Sequence, residues 1–213
     1  MKNMLTFVTA LLGLGGTNHA SEAITIRDAD DHNRVYKAAC DIIEPYMRLQ
    51  GKPEKKVTTA AATELKRAIK MLDAVTTYAP KNWSAFWIKG KAYQAIEDRA
   101  AACAAFKSAF DLQDKNPDVA REYMFECLNL GHGAEGVRAA QYALALKPSD
   151  AGLNANLALA LVIAAKPKEA LAAIDEALRI DPQDEISQNV RKVVLRIIDG
   201  TKPQPKTLSE LEN

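Results

Sequence analysis

Few side chains in this sequence are of the types that do chemistry, and their spacing decides how far each can go. There are three histidines, His19, His32 and His132, and three cysteines, Cys40, Cys103 and Cys127. His32 follows Asp28, Asp30 and Asp31, a set that a divalent metal would favour. Sequence neighbours rarely converge on one ion, however, and aspartates at the start of a helix interact well with its dipole. A helix N-terminus is therefore the expected role. His132 lies in Gly131-His132-Gly133, a turn in which flexibility is the expected reason for the glycines. No Cys-x-x-Cys pair is present, and each cysteine sits among helix-forming residues, where a buried thiol behaves as a small apolar group. An odd count allows at most one internal disulfide. Gly13-Leu14-Gly15-Gly16 lacks the strand and helix that frame a phosphate loop. No serine, cysteine or histidine falls in a nucleophile motif. The expectation is a non-enzyme, with no catalytic, metal-ligating or cofactor-binding residue and no cofactor.

Composition points to the elements that would hold any binding site. Of 213 residues 48% are hydrophobic and 26% charged, which fits a globular chain and excludes collagen, low-complexity disorder and a multi-spanning membrane protein. Lys+Arg total 28 against 27 Asp+Glu, so the net charge of +1 gives no global field to gather nucleic acid. Aromatics are only 6% while alanine recurs throughout, which favours close-packed helices over sheets.

The first 23 residues form a separate segment. One positive charge at Lys2 precedes the uncharged run Met4 to Gly16, with Leu5, Phe7, Val8, Leu11, Leu12 and Leu14. That run is shorter than the about twenty residues needed to cross a bilayer. Small residues follow, and Ser21 and Ala23 stand three and one before a cut after Ala23; a cut after Ala20 fits less well. This is the pattern of a secretory signal peptide, so residues 1–23 are expected to be removed and the protein to be periplasmic or secreted, with no transmembrane anchor. A frayed or buried N-terminal helix in a cytoplasmic protein is the alternative.

From Asp30 onward the pattern is helical. Val35, Ala38, Ala39, Ile42, Ile43, Tyr46 and Met47 recur at three and four, with Pro45 expected to kink this helix and Gly51-Lys52-Pro53 to end it. A second helix is expected from Thr58 to Tyr78. After Trp83 a period emerges. Pro148 and Pro182 are 34 apart, and earlier steps give Asp114 and Pro80. Ala68, Ala102, Gly136 and Ala170 share the interval, as do Leu72, Phe106, Ala140 and Ile174, and Val75, Ala109, Ala143 and Ala177. Pairs of helices of this kind leave an apolar face open and must stack.

A 34-residue period with these columns and a late proline resembles the tetratricopeptide repeat (TPR) family, whose first helix reads Trp-x-x-Leu-Gly-x-x-Tyr and second Ala-x-x-x-Phe. Residues 83–116 match through Phe86, Gly90, Tyr93, Ala102, Phe106 and Ala109, with Lys89 in place of leucine and Asp114 in place of proline. Residues 151–184 match through Leu157, Ala158, Leu161, Ala170, Ile174, Ala177 and Pro182, with Asn154 in place of tryptophan. Residues 117–150 keep Tyr123, Gly136, Ala143 and Pro148, but Met124 stands where a small residue belongs. The resemblance implies an all-α fold: a right-handed superhelix of antiparallel helix pairs. Residues 24–82 would be a diverged helical hairpin, 83–184 three repeats, 185–199 a capping helix and 200–213 an extended tail.

The resemblance also implies a function. First helices of such repeats line a concave groove that binds a peptide or helix of another protein. Here the groove would present Trp87, Lys91, Gln94, Arg121, Phe125, Leu128, Asn129 and Leu159, with Asp118, Ala155, Val162 and Ile163 beside them. Family members that hold a C-terminal carboxylate place lysines and asparagines at set groove positions. Trp87 and Lys91 stand at two of these, and Gly152 and Asn156 replace basic residues, so that clamp is not expected. The expected partner is a protein or peptide segment and not nucleic acid. Two alternatives are a structural scaffold whose groove is filled by its own terminal segment, and a cytosolic chaperone-like TPR protein. The sequence leaves the oligomeric state open.

Overall fold

The computed structural model describes residues 24–48, 55–112 and 115–212. The expected signal segment 1–23, Gly51-Lys52-Pro53 and Asp114 lie outside them. Among the described residues there are ten α-helices, one 3-10 turn and no strand.

Helix α1, Ala29–Ile43, begins where the Asp28 side chain accepts from the Asp31 N–H. Asp30 and Asp31 then sit in its first turn, where the dipole favours them. Pro45 does not kink the helix as expected but ends it: the α-helix stops at Ile43 and the chain makes one 3-10 turn, Glu44–Tyr46. Proline has no N–H to give the carbonyl four residues back, and its ring crowds that carbonyl. Helix α2, Thr59–Tyr78, is capped by the Thr58 hydroxyl and buries Leu65, Ala68, Leu72 and Val75.

Helices α3 (Trp83–Ala95), α4 (Arg99–Leu112), α5 (Pro117–Asn129), α6 (Gly133–Leu146), α7 (Ala151–Ile163), α8 (Pro167–Ile180) and α9 (Glu185–Ile198) follow through short turns. A last short helix, α10, is Leu208–Glu212. Each helix packs on the next from α1 to α9, and α1 also touches α3, α5 touches α7 and α7 touches α9. The fold is thus an all-α solenoid of antiparallel pairs in which odd-numbered helices share a face.

The termini of these helices repeat as strictly as their cores. Asn82, Asn116, Asp150 and Asp184 stand 34 apart, and each side chain caps an odd-numbered helix by accepting from a first-turn N–H. At the other end, the N–H groups of Asp98, His132 and Lys166 bond to Tyr93, Cys127 and Leu161 at 3.0, 2.8 and 2.8 Å. This six-to-one bond needs a left-handed residue just before it. Glu97, Gly131 and Ala165, again 34 apart, have φ of 62°, 76° and 58°.

Packing explains the departures from the family pattern. A Cβ at Gly90 would lie 2.5 Å from the Phe106 ring, so α3 and α4 approach too closely for any side chain there. In the next pair the bulk changes sides: Met124 is on the first helix and Ala140 on the second, both buried in the central core. Ala158 and Ile174 restore the first order in the C-terminal core. Lys89 replaces leucine because its ammonium reaches Asp73 Oδ1 on α2 at 2.5 Å. Asn154, where tryptophan is usual, is buried and donates to the Asp150 carbonyl at 3.0 Å. The Gly-His-Gly turn serves close packing more than flexibility, since a Cβ at Gly133 would lie 2.7 Å from the Ala164 backbone.

Candidate protein-binding groove

The face expected as a groove is that of α3, α5 and α7, whose starts are capped in register. The eight expected residues divide into three groups. Trp87, Arg121, Phe125, Asn129 and Leu159 are half-buried side chains. Trp87 packs against both the N-terminal and central cores, and its Nε1 is buried without a hydrogen-bond partner. Arg121 pairs with Asp118 one turn earlier at 3.2 Å and keeps 28% of its side-chain area exposed, enough to reach an incoming group. Phe125 and Leu159 lie against the central core.

Lys91 and Gln94 form a second group, an internal seam between α3 and α5. Lys91 is only 1% exposed, so it does not present its charge to the groove. Its Nζ contacts Glu122 Oε1 at 2.6 Å and donates to the Arg48 carbonyl at 2.9 Å, with the Trp87 ring centroid 5.3 Å away. Burial pushes its pKa below the ordinary lysine value, and the Glu122 charge opposes that. Gln94 Nε2 donates to Glu122 Oε2 at 3.2 Å and to Glu126 Oε1 at 2.8 Å, while its own carbonyl oxygen is buried and unpartnered. Arg99 Nη1 lies 3.7 Å from Glu126 Oε2. Two cations thus meet two carboxylates in a seam that locks one repeat to the next. Glu122 and Glu126 were not apparent as partners because 31 residues separate Lys91 from Glu122, and only stacking brings them together.

Leu128 stands alone. It is fully buried and points into its own pair: a Cβ at Gly136 would run into its Cδ2. It is a core residue, because the glycine opposite leaves a space that its branched end fills.

The apolar end of the face is not open. After α9 the chain turns at Gly200, φ 79°, and folds back along the helix ends. Gln204 Nε2 donates to the Val162 carbonyl at the end of α7 at 2.6 Å. Pro205 is buried. The Lys206 carbonyl passes 3.1 Å from where a Cβ on Gly131 would be, at the end of α5. The Lys206 N–H donates to Glu210 Oε2 at 2.8 Å, closing the start of α10. Leu208 then packs against the central core and Leu211 against the C-terminal one, and α10 touches α5. The segment expected as an extended tail is extended only to Lys206 and then makes one helical turn. The leucines at 208 and 211, three apart, were the signal for it.

Other chemistry is sparse. Among the described residues no group of three or more His, Cys, Asp or Glu gathers as metal ligands do, and no helix is long and apolar enough to cross a membrane. Cys103 and Cys127 are free thiols with sulfurs 3.9 Å apart between α4 and α5. A cleft of about 600 Å³ beside the 3-10 turn is lined by Tyr46, Arg48, Lys55, Lys56, Lys66 and Glu97, four cations against one carboxylate.

The sequence matches no protein-family model and no curated protein. Its structure does match solved ones. YrrB, a TPR protein with an unusual peptide-binding site, superposes with a TM-score of 0.57 at 19% identity, over 72% of this chain and 77% of that one. MamA from Desulfovibrio magneticus RS-1, residues 41 to the end, gives 0.54 at 14% identity over 84% and 95%. A tetratricopeptide repeat protein from Parabacteroides merdae gives 0.60 at 13% identity over 80% and 62%. At these identities the likeness shows the fold.

Proposed function

On a tetratricopeptide-repeat fold we propose a non-catalytic interaction module that holds a short segment of another protein against α3, α5 and α7. The observation that carries this reading is the half-burial of Trp87 on α3 and of Arg121 and Phe125, one turn apart on α5: two aromatic groups and an arginine of the kind that anchors interfaces once desolvated. The peptide-binding site named for YrrB, on the same fold, supports it. Because the Arg121 ion pair is with Asp118 of its own helix, Arg121→Ala should leave the melting temperature within about 2 °C, as surface changes do. Partner capture per folded molecule should weaken by at least about 1 kcal/mol, and by more for Trp87→Ala. Unchanged capture in both variants would overturn the groove.

A second reading, a scaffold that joins its complex through other faces, is favoured by the tail filling the apolar end. Under it neither variant affects assembly. For location we propose export to the periplasm or cell exterior, on the charged start, apolar run and small residues of 1–23. The mature protein should begin near Ser21 or Ile24. Recovery of intact Met1 from the soluble cytosol would replace export with the chaperone-like reading.

A further inference from the structure

The way residues 202–211 are seated reveals what the apolar end of the face selects. The contacts differ in kind and come in a fixed order along the segment. First a side-chain amide donates to a helix-terminal carbonyl, Gln204 to Val162. That carbonyl, in the last turn of α7, already accepts from the Ala165 N–H at 2.9 Å, so the amide is an added donor to it. Next comes a buried proline, Pro205, which needs no hydrogen-bond partner for an N–H and fixes an extended approach. Then the chain passes Gly131 so closely that a side chain there would crowd the Lys206 carbonyl. Finally one turn of helix presents Leu208 and Leu211 to two neighbouring cores. The near end bonds back to α9 rather than to the seat: the Lys202 N–H donates to the Arg196 carbonyl at 2.8 Å and the Thr201 hydroxyl to the same carbonyl at 3.3 Å, while Pro203 and Gln204 are exposed residues.

We propose that this seat, between the ends of α5 and α7, is a docking site for a partner segment with the tail's own chemistry: an amide donor, a proline, and a one-turn helix with leucines three apart. The chain's own residues 202–211 hold the site until that segment displaces them. This deepens the groove reading above and rests on it. A tethered segment competes at an effective concentration of about millimolar, so a free segment meets an occupied site and its apparent affinity falls accordingly.

The test uses the full chain and a labelled synthetic peptide of residues 201–212, followed by fluorescence anisotropy. Two variants free the seat. Leu208→Asp with Leu211→Asp removes the apolar contacts, and Gln204→Glu sets a carboxylate against the Val162 carbonyl on an exposed side chain that the solenoid does not need. Circular dichroism melting confirms that each is folded. The peptide should bind both variants at least about tenfold more tightly than the parent chain. A peptide with both leucines changed to alanine should lose that gain. Equal binding to parent and variants, or no binding to either folded variant, would overturn the proposal. Its failure leaves the Arg121 and Trp87 experiment untouched. Conversely, peptide binding with no effect of those two residues on capture would assign capture to the seat and take it from Trp87 and Arg121.

Discussion

Lys91 is the residue whose role changes most between sequence and structure. Read along the chain it is a groove cation; folded, it is a buried bridge to Glu122 and the Arg48 carbonyl. Losing one member strands the other. Lys91→Met should therefore cost about 3–5 kcal/mol in urea unfolding, and adding Glu122→Leu should recover much of it by replacing the pair with apolar contact. A double variant no more stable than the single would mean Glu122 finds water instead. Asp31 offers a cleaner titration. The Arg27 hydrogen bond above all, then Arg34, holds its carboxyl down from an ordinary 3.8 to about 2 against the opposing effect of burial. The folded state thus binds its proton less readily than the unfolded one. Its contribution is complete above pH about 4 and is lost as pH falls through about 2. Asp31→Asn should flatten the fall of melting temperature across pH 4 to 2; an unchanged slope would assign the acid sensitivity elsewhere.

At the scale of elements, the turns carry a strain that the sequence shows only in part. Three left-handed residues recur at one period, yet only Gly131 is a glycine; Glu97 and Ala165 adopt the same conformation with a Cβ. Gly131→Ala should destabilise by about 1–2 kcal/mol, the cost of a left-handed L-residue, with crowding of Lys206 added. Ala165→Gly should be neutral or stabilising by up to about 1 kcal/mol. Differential scanning calorimetry on both separates the cases, and equal losses would contradict the shared turn geometry. Helix positions were largely legible, because period and breakers are local: the helix expected from Thr58 to Tyr78 is α2, with Thr58 as its cap. Contacts between pairs were not. The Gly136 space that takes Leu128, and the volume exchange of Met124 and Ala140, depend on which helix lies opposite.

For the molecule as a whole, stability is spread over three cores linked in a row. In such an array each pair is supported by its neighbours, and the ends have one neighbour only. Hydrogen exchange should be slowest in α4 to α6, around Phe106, Tyr123 and Met124, and faster in α1 and α9. Uniform protection would show that the chain unfolds as one unit. Trp87, Arg121 and Phe125 came from the family resemblance, and each is a half-buried residue on α3 or α5. The tail's seat was not legible, since it lies 42 residues away from Gln204 at Val162 and follows no period.

That long reach gives the seat a place in time. Synthesis runs from the N-terminus, so α5 and α7 leave the ribosome before the segment that covers their ends. Between Ile163 and Lys202 lie 38 residues, roughly 2–8 s of translation at ordinary speeds. A newborn chain therefore passes through an interval in which the site has been made and its own occupant has not. A partner segment already waiting meets no tethered rival then, and an encounter at birth is easier than any later one.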